Sequence, residues 1–258
     1  MKNTNTSVNV DSRKPRIVFN CETSLGILDS WISIIHALHN ENPQAEFIFL
    51  APDAKVLSDI VDSSLYRLSE QIFSQVIFKT ESGRWKCTAS FSEASTYVDR
   101  ASATRRVQAA VPRSLSQGFI SSKSRKRLAR YILHPASGIL EWLHSFKRGD
   151  TGVRKNFDLN DLKANATVLL FDITQEKSNN LELASYFAGK PKFSLPHGIS
   201  VRGVGSVGKI SHKAAQFDSE NVIAYLNSPI EKPFYEKRFG IRESSLRVVG
   251  VPRHDPKW

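Results

Sequence analysis

The chain has 258 residues, 40% of them apolar and 10% aromatic, which is enough to bury a sizeable core and excludes a disordered or fibrous protein. Its net charge of +11 is unevenly placed: between Thr104 and Lys155 twelve Lys/Arg face only Glu141 and Asp150, leaving the rest nearly neutral. Two distant cysteines, Cys21 and Cys87, offer no zinc motif and fit a reducing compartment, and no run approaches the ~18 apolar residues a bilayer span needs.

Residues 1–14 read as a disordered polar tail without the apolar core of a signal peptide. Pro15–Glu22 is a continuous apolar run and predicts a first buried strand. Leu25, Leu28, Ile32 and Ile35 then recur at helical spacing, with Thr23 or Ser24 as N-cap and Asn40-Glu41-Asn42-Pro43 as the stop. Ala45–Pro52 predicts a second strand, Ala54–Val61 a short helix and Gln75–Thr80 a third strand. This alternation calls for a parallel sheet with right-handed crossovers.

The rhythm breaks from about 82 to 165, where strand signal is weak. Leu128, Tyr131 and Ile132, then Ile139, Leu140, Leu143 and Phe146, form apolar helical faces on either side of His134-Pro135. The segment is predicted to be a basic α-helical insertion within one Rossmann-like domain spanning 15–258. Lys123, Arg125, Lys126, Arg127 and Arg130 could dock on anionic lipid headgroups or on nucleic-acid phosphates, nucleic acid being the less favoured; an ordinary solvated face explains them equally well.

Ala166–Thr174 resumes the alternation, followed by a helix over Asn179–Ala188 that closes at Gly189-Lys190-Pro191. Three further apolar runs spill into polar loops: Phe193–Gly198, Val222–Pro229 and Leu246–Asp255, with a helix over Glu231–Phe239 before the last. In open α/β sheets the carboxyl ends of strands are where ligands bind. Three candidate catalytic groups fall there. His197 has the residue type for general-base work on a hydroxyl near neutral pH, and the bland alternative is a strand-end cap. Glu22 and Asp172 would share its rim and orient an acceptor or the imidazole; otherwise Glu22 is a solvated turn carboxylate and Asp172 a loop cap.

Gly203-Val204-Gly205-Ser206-Val207-Gly208-Lys209-Ile210 has the glycines of two phosphate-binding motifs. It lacks the first-strand context of a dinucleotide fingerprint, and Ile210 replaces the Ser/Thr of a P-loop, so it reads as a loop. No metal-ligand pattern stands out.

Pro196-His197-Gly198, Asn227-Ser228-Pro229 followed by Tyr235 and Phe239-Gly240, and Gly250-Val251-Pro252-Arg253-His254-Asp255 together resemble bacterial surface-polysaccharide glycosyltransferases of the GT-B type, including the CDP-glycerol glycerophosphotransferase-like family. The likeness covers about Val168–Trp258. It implies the N-terminal, acceptor-side half of a GT-B architecture, with His197 as the base that deprotonates an acceptor hydroxyl. Gly198, Ser228, Arg253 and His254 would be substrate-binding, Arg253 by approaching donor phosphates. It also implies no resident cofactor: a nucleotide-activated donor would be a substrate, bound mainly by a second domain absent from this chain. The expected partners are a lipid-linked or glycan acceptor and an anionic membrane surface, with a cytoplasmic or peripheral inner-face location. A nucleotide-sugar epimerase on the same fold and a noncatalytic basic module binding membrane or nucleic acid are the alternatives.

Overall fold

The computed structural model describes residues 14–22, 24–99, 157–174, 180–196 and 219–250. Eight strands form one sheet: β1 (Arg16–Asn20), β2 (Glu46–Ala51), β3 (Gln75–Lys79), β4 (Trp85–Thr88), β5 (Val168–Phe171), β6 (Lys192–Ser194), β7 (Val222–Leu226) and β8 (Leu246–Val248). Their spatial order is β4-β3-β2-β1-β5-β6-β7-β8. Every neighbouring pair is parallel except β3–β4. The chain therefore builds outward from β1 in one direction, then returns to β1's other side at β5 and builds in the opposite direction. That reversal makes the β1/β5 boundary the topological switch point of a doubly wound fold.

The strands sit where the sequence is continuously apolar because helices cover both faces, and a strand buried on both sides has no polar position to alternate with. On one face lie α1 (Leu25–Glu41), α2 (Lys55–Val61), α3 (Tyr66–Ile72) and α4 (91–99). α1 starts because Ser24 is extended and its hydroxyl accepts from the Gly26 N–H at 3.1 Å, as a helix N-cap requires. It turns Ile27, Leu28, Trp31, Ile32 and Ile35 inward against Phe19, Phe47 and Phe49. Phe49 is the hub of this layer, with ring centroids 5.6 Å from Phe19, 5.3 Å from Phe73 and 4.8 Å from Phe91. On the other face, α5 (Leu159–Asn165), α6 (Asn180–Tyr186) and α7 (Lys232–Phe239) accompany a second core. There Leu162, Leu183, Phe187, Phe234 and Phe239 pack with Val18, Phe171, Ala224 and Leu246. α7 stops at Gly240, which adopts φ +65°, a conformation an L side chain resists.

Two elements depart from the sequence expectation. The stretch from 82 to 165, predicted to be a helical insertion, holds β4, α4 and α5 among its described residues, so the regular domain reaches well into it. β4 escapes notice because it is four residues long, WKCT, and half polar. It is held by a tight hairpin rather than by its own pattern. Thr80 accepts the Arg84 N–H on its hydroxyl and donates its own N–H to the Arg84 carbonyl, and Gly83 takes φ +81°. α3 has no counterpart among the elements expected from sequence: only Ser69 and Ile72 of its seven residues are buried, too few to show a helical stripe. None of the helices among the described residues is long and apolar enough to cross a membrane.

Candidate functional site at the switch point

All seven parallel strands bring their carboxyl ends to one rim, and at its centre β1 and β5 release Asn20-Cys21-Glu22 and Asp172-Ile173-Thr174 side by side. The register pairs Phe19 with Leu170. The ladder continues past β1, since the Cys21 N–H donates to the Leu50 carbonyl at 2.9 Å. Glu22 and Asp172 thus do share the rim of the switch point, as their places in the sequence imply. Neither lines open surface: Glu22 is 3% exposed and Asp172 is fully buried. Glu22 is therefore no solvated turn carboxylate.

Asp172 has a clear local task. One of its oxygens accepts the Thr174 N–H at 2.8 Å and the Thr174 hydroxyl at 2.7 Å, folding the β5 exit into a closed turn. The Ile173 N–H between them donates to the Ser194 hydroxyl at 2.9 Å. Because Ser194 ends β6, this bond braces the exits of β5 and β6 together, alongside the Leu195 N–H to Phe171 carbonyl bond at 3.2 Å. By strand alternation Asp172 leaves the sheet on the face of Leu170, toward the α1 layer. Its neighbours Phe171 and Ile173 belong to the opposite core. Asp172 is the loop cap of its bland reading, set at the switch point.

The Cys21 thiol stays protonated. Burial pushes its pKa far above the ordinary thiol range; a hydrogen bond from the Leu28 backbone opposes part of that rise, and the Glu22 charge adds a smaller push upward. It is not an activated nucleophile. Cys87 is likewise buried and free.

Ser228 occupies the strand-end position that the sequence suggests, and its geometry explains it as a cap. It is extended, precedes a 3₁₀ turn over Pro229–Glu231, and its hydroxyl accepts from the Ile230 N–H at 3.4 Å. Glu231, 1% exposed, answers by accepting from the Asn227 N–H at 2.9 Å and the Ser228 N–H at 3.4 Å, which completes a capping box.

His197, Gly198, Arg253 and His254 lie outside the described residues, as do Lys123, Arg125, Lys126, Arg127, Arg130 and the Gly203–Ile210 loop. Chain connectivity alone bounds His197: it follows Pro196, which is buried two residues past the end of β6 on the same rim. Sequence reasoning passed over Asn20, Ser194 and Glu231, all buried polar groups at or next to strand exits. The available signal was a polar residue closing an apolar run, as in RIVFN and KFS. Lys192, at the opposite end of β6, is also fully buried. No group of His, Cys, Asp or Glu among the described residues could hold a metal ion.

Comparison with protein-family models, with curated proteins and with solved structures gives no match.

Proposed function

We propose that this chain is the acceptor-side, Rossmann-like domain of a glycosyltransferase or glycerophosphotransferase that builds bacterial surface polysaccharide at the cytoplasmic face of the membrane. The observation that supports the reading best is the switch point itself. In a doubly wound sheet this is where ligands sit, and here two carboxylates flank it while β6 delivers the chain to the same rim three residues before His197. His197 accepts the proton of an acceptor hydroxyl as that oxygen attacks the activated sugar or polyol phosphate, and the nucleoside phosphate departs with the electron pair of the broken bond. Arg253, close after β8, offers a cation to the leaving phosphates. Glu22 and the turn built on Asp172 fix the rim on which the acceptor lies. The donor is a substrate held mainly by a second domain, and no resident cofactor is required.

The first β–α turn weighs against the epimerase alternative. A bound dinucleotide needs a glycine-rich turn there, so that the backbone can approach the pyrophosphate. This turn reads Cys21-Glu22-Thr23-Ser24-Leu25-Gly26, with one glycine and a carboxylate that would repel phosphate.

The test is turnover of CDP-glycerol or nucleotide-sugar donors by the complete protein. His197→Ala should lower kcat roughly 100-fold or more, the usual scale of a general base, with thermal stability little changed. Unchanged turnover would remove His197 from the chemistry and leave the transferase reading without its base.

A further inference from the structure

The two faces of the sheet are unequally covered across β5–β8. By strand alternation Ser194, Val222, Ala224, Leu226 and Leu246 face the second core, and all five are buried. The intervening residues face the side of α1–α4, and their cover thins with distance from the switch point. Leu170 and Leu195 are buried, Phe193, Ile223 and Tyr225 are half-buried, and Arg247 and Val249 are exposed. Phe193 and Tyr225 stack there with ring centroids 6.2 Å apart. α1 joins β1 to β2, and α2 and α3 join β2 to β3, so right-handed crossovers hold them over the other half of the sheet. α4 meets β2 and β3, through Phe91 against Phe49 and Tyr97 against Phe78. An apolar face of β6 and β7 is thus left without a described helix over it.

We infer that this face is the docking site of the chain's own stretch 100–156, which lays apolar side chains on Phe193, Ile223 and Tyr225. The inference rests on sheet topology and does not depend on the transferase reading. α4 ends on the same side of the sheet, where Asp99 accepts from the Ser58 hydroxyl at 3.4 Å, and the chain returns at Phe157, whose N–H donates to the Trp85 carbonyl of β4 at 3.1 Å. From β3 to β7 is about 24 Å across the sheet, which about 16 helical residues cross, and the return to β4 needs about 19 more. The stretch 100–156 is long enough for both passes. Its sequence has the matching pattern, with Leu128, Tyr131 and Ile132, then Ile139, Leu140, Leu143 and Phe146, set on either side of His134-Pro135. The other connections do not compete. α6 and α7 carry the chain from β5 to β6 and from β7 to β8 on the second-core side, and the same handedness assigns the link from β6 to β7 to that side. Residues 1–13 offer only Met1, Val8 and Val10 as apolar side chains.

A photoreactive side chain on the complete chain tests this. Replacing Tyr225 by p-benzoylphenylalanine exchanges one aromatic group for another on the half-buried face, and Ile223 is a second position beside it. Irradiation and peptide mapping should give a cross-link, within one chain, to a peptide between Thr104 and Lys155. A link to residues 197–218 or 251–258 instead, a link between two chains, or no link from either position overturns the inference. Limited trypsin digestion reads the same contact without a label. Ile223→Glu should speed cleavage at the Lys/Arg of that stretch several-fold, because a carboxylate held under it without a partner drives it off the sheet. Ile230→Glu, at the exposed exit of β7, should leave the cleavage rate unchanged. Equal cleavage of the native and Ile223→Glu chains would show that the stretch does not lie on this face.

Discussion

At the scale of single residues the rim is built from groups held out of water, and that has a cost that depends on pH. Cys21 is the clearest case. Its folded-state pKa lies far above the ordinary thiol value of 9.0, chiefly because burial penalises the thiolate. Below pH 9 the thiol is protonated in both folded and unfolded chains and contributes no pH dependence. Above it the unfolded chain releases a proton that the folded chain retains, so stability falls as pH rises. The slope attributable to this one group approaches about 1.4 kcal/mol per pH unit. Denaturant unfolding between pH 9 and pH 11 should show a steeper loss for the native protein than for Cys21→Ala, which carries its own cavity cost at every pH. Parallel pH profiles for the two proteins would mean that the thiol is open to solvent in the folded state.

At the scale of elements, the strands that the sequence revealed are those with unbroken apolar runs: β1, β2, β3, β5 and β7 emerge close to their predicted bounds. The apolar run is a direct imprint of burial on two faces, so it is read without knowing any partner. β4 is different in kind, because its existence depends on β3 lying beside it and on the Thr80–Arg84 clasp. α3 is buried at too few positions to leave a stripe. The same distinction separates the candidate residues. The rim positions of Glu22 and Asp172 follow from being at strand ends, whereas the burial of both and the bonds of Asp172 to Thr174 depend on how loops close over them. Ser228 shows what such dependence means in practice. As the cap of the turn leading into α7, Ser228→Ala should cost about 1 kcal/mol in equilibrium unfolding, and Ser228→Asn, another good cap, should cost less. If Ser228 also contacts substrate, both variants should raise KM alike. A raised KM in the alanine variant alone would assign the effect to the cap.

For the whole molecule, the two cores differ in what holds them. The α1–α4 layer is keyed by four phenylalanines from four places in the chain, Phe19, Phe49, Phe73 and Phe91, with Phe49 touching the other three. Phe49→Ala should cost about 3–5 kcal/mol, because tightly packed rings leave a cavity the surroundings only partly fill. That loss should appear as a lowered midpoint in denaturant with an unchanged slope. An m-value that falls with the midpoint would indicate that this layer unfolds separately from the rest of the sheet.

The switch point is also a seam in the order of assembly. Neighbouring strands on either side of it pair across 22 to 30 residues where the connections are parallel, as in Arg16 with Glu46 and Ala224 with Leu246. β1 and β5 meet only when Ile17 finds Val168, 151 residues further along the chain. Contacts between distant residues repay their loop-closure entropy late, and topologies that rely on them fold slowly. A β1–β4 half and a β5–β8 half can each gather mostly short-range pairings first. The two carboxylates come from opposite sides of that seam, Glu22 from the first half and Asp172 from the second. A chain caught with its halves formed but not joined would have nearly all of its secondary structure and no site.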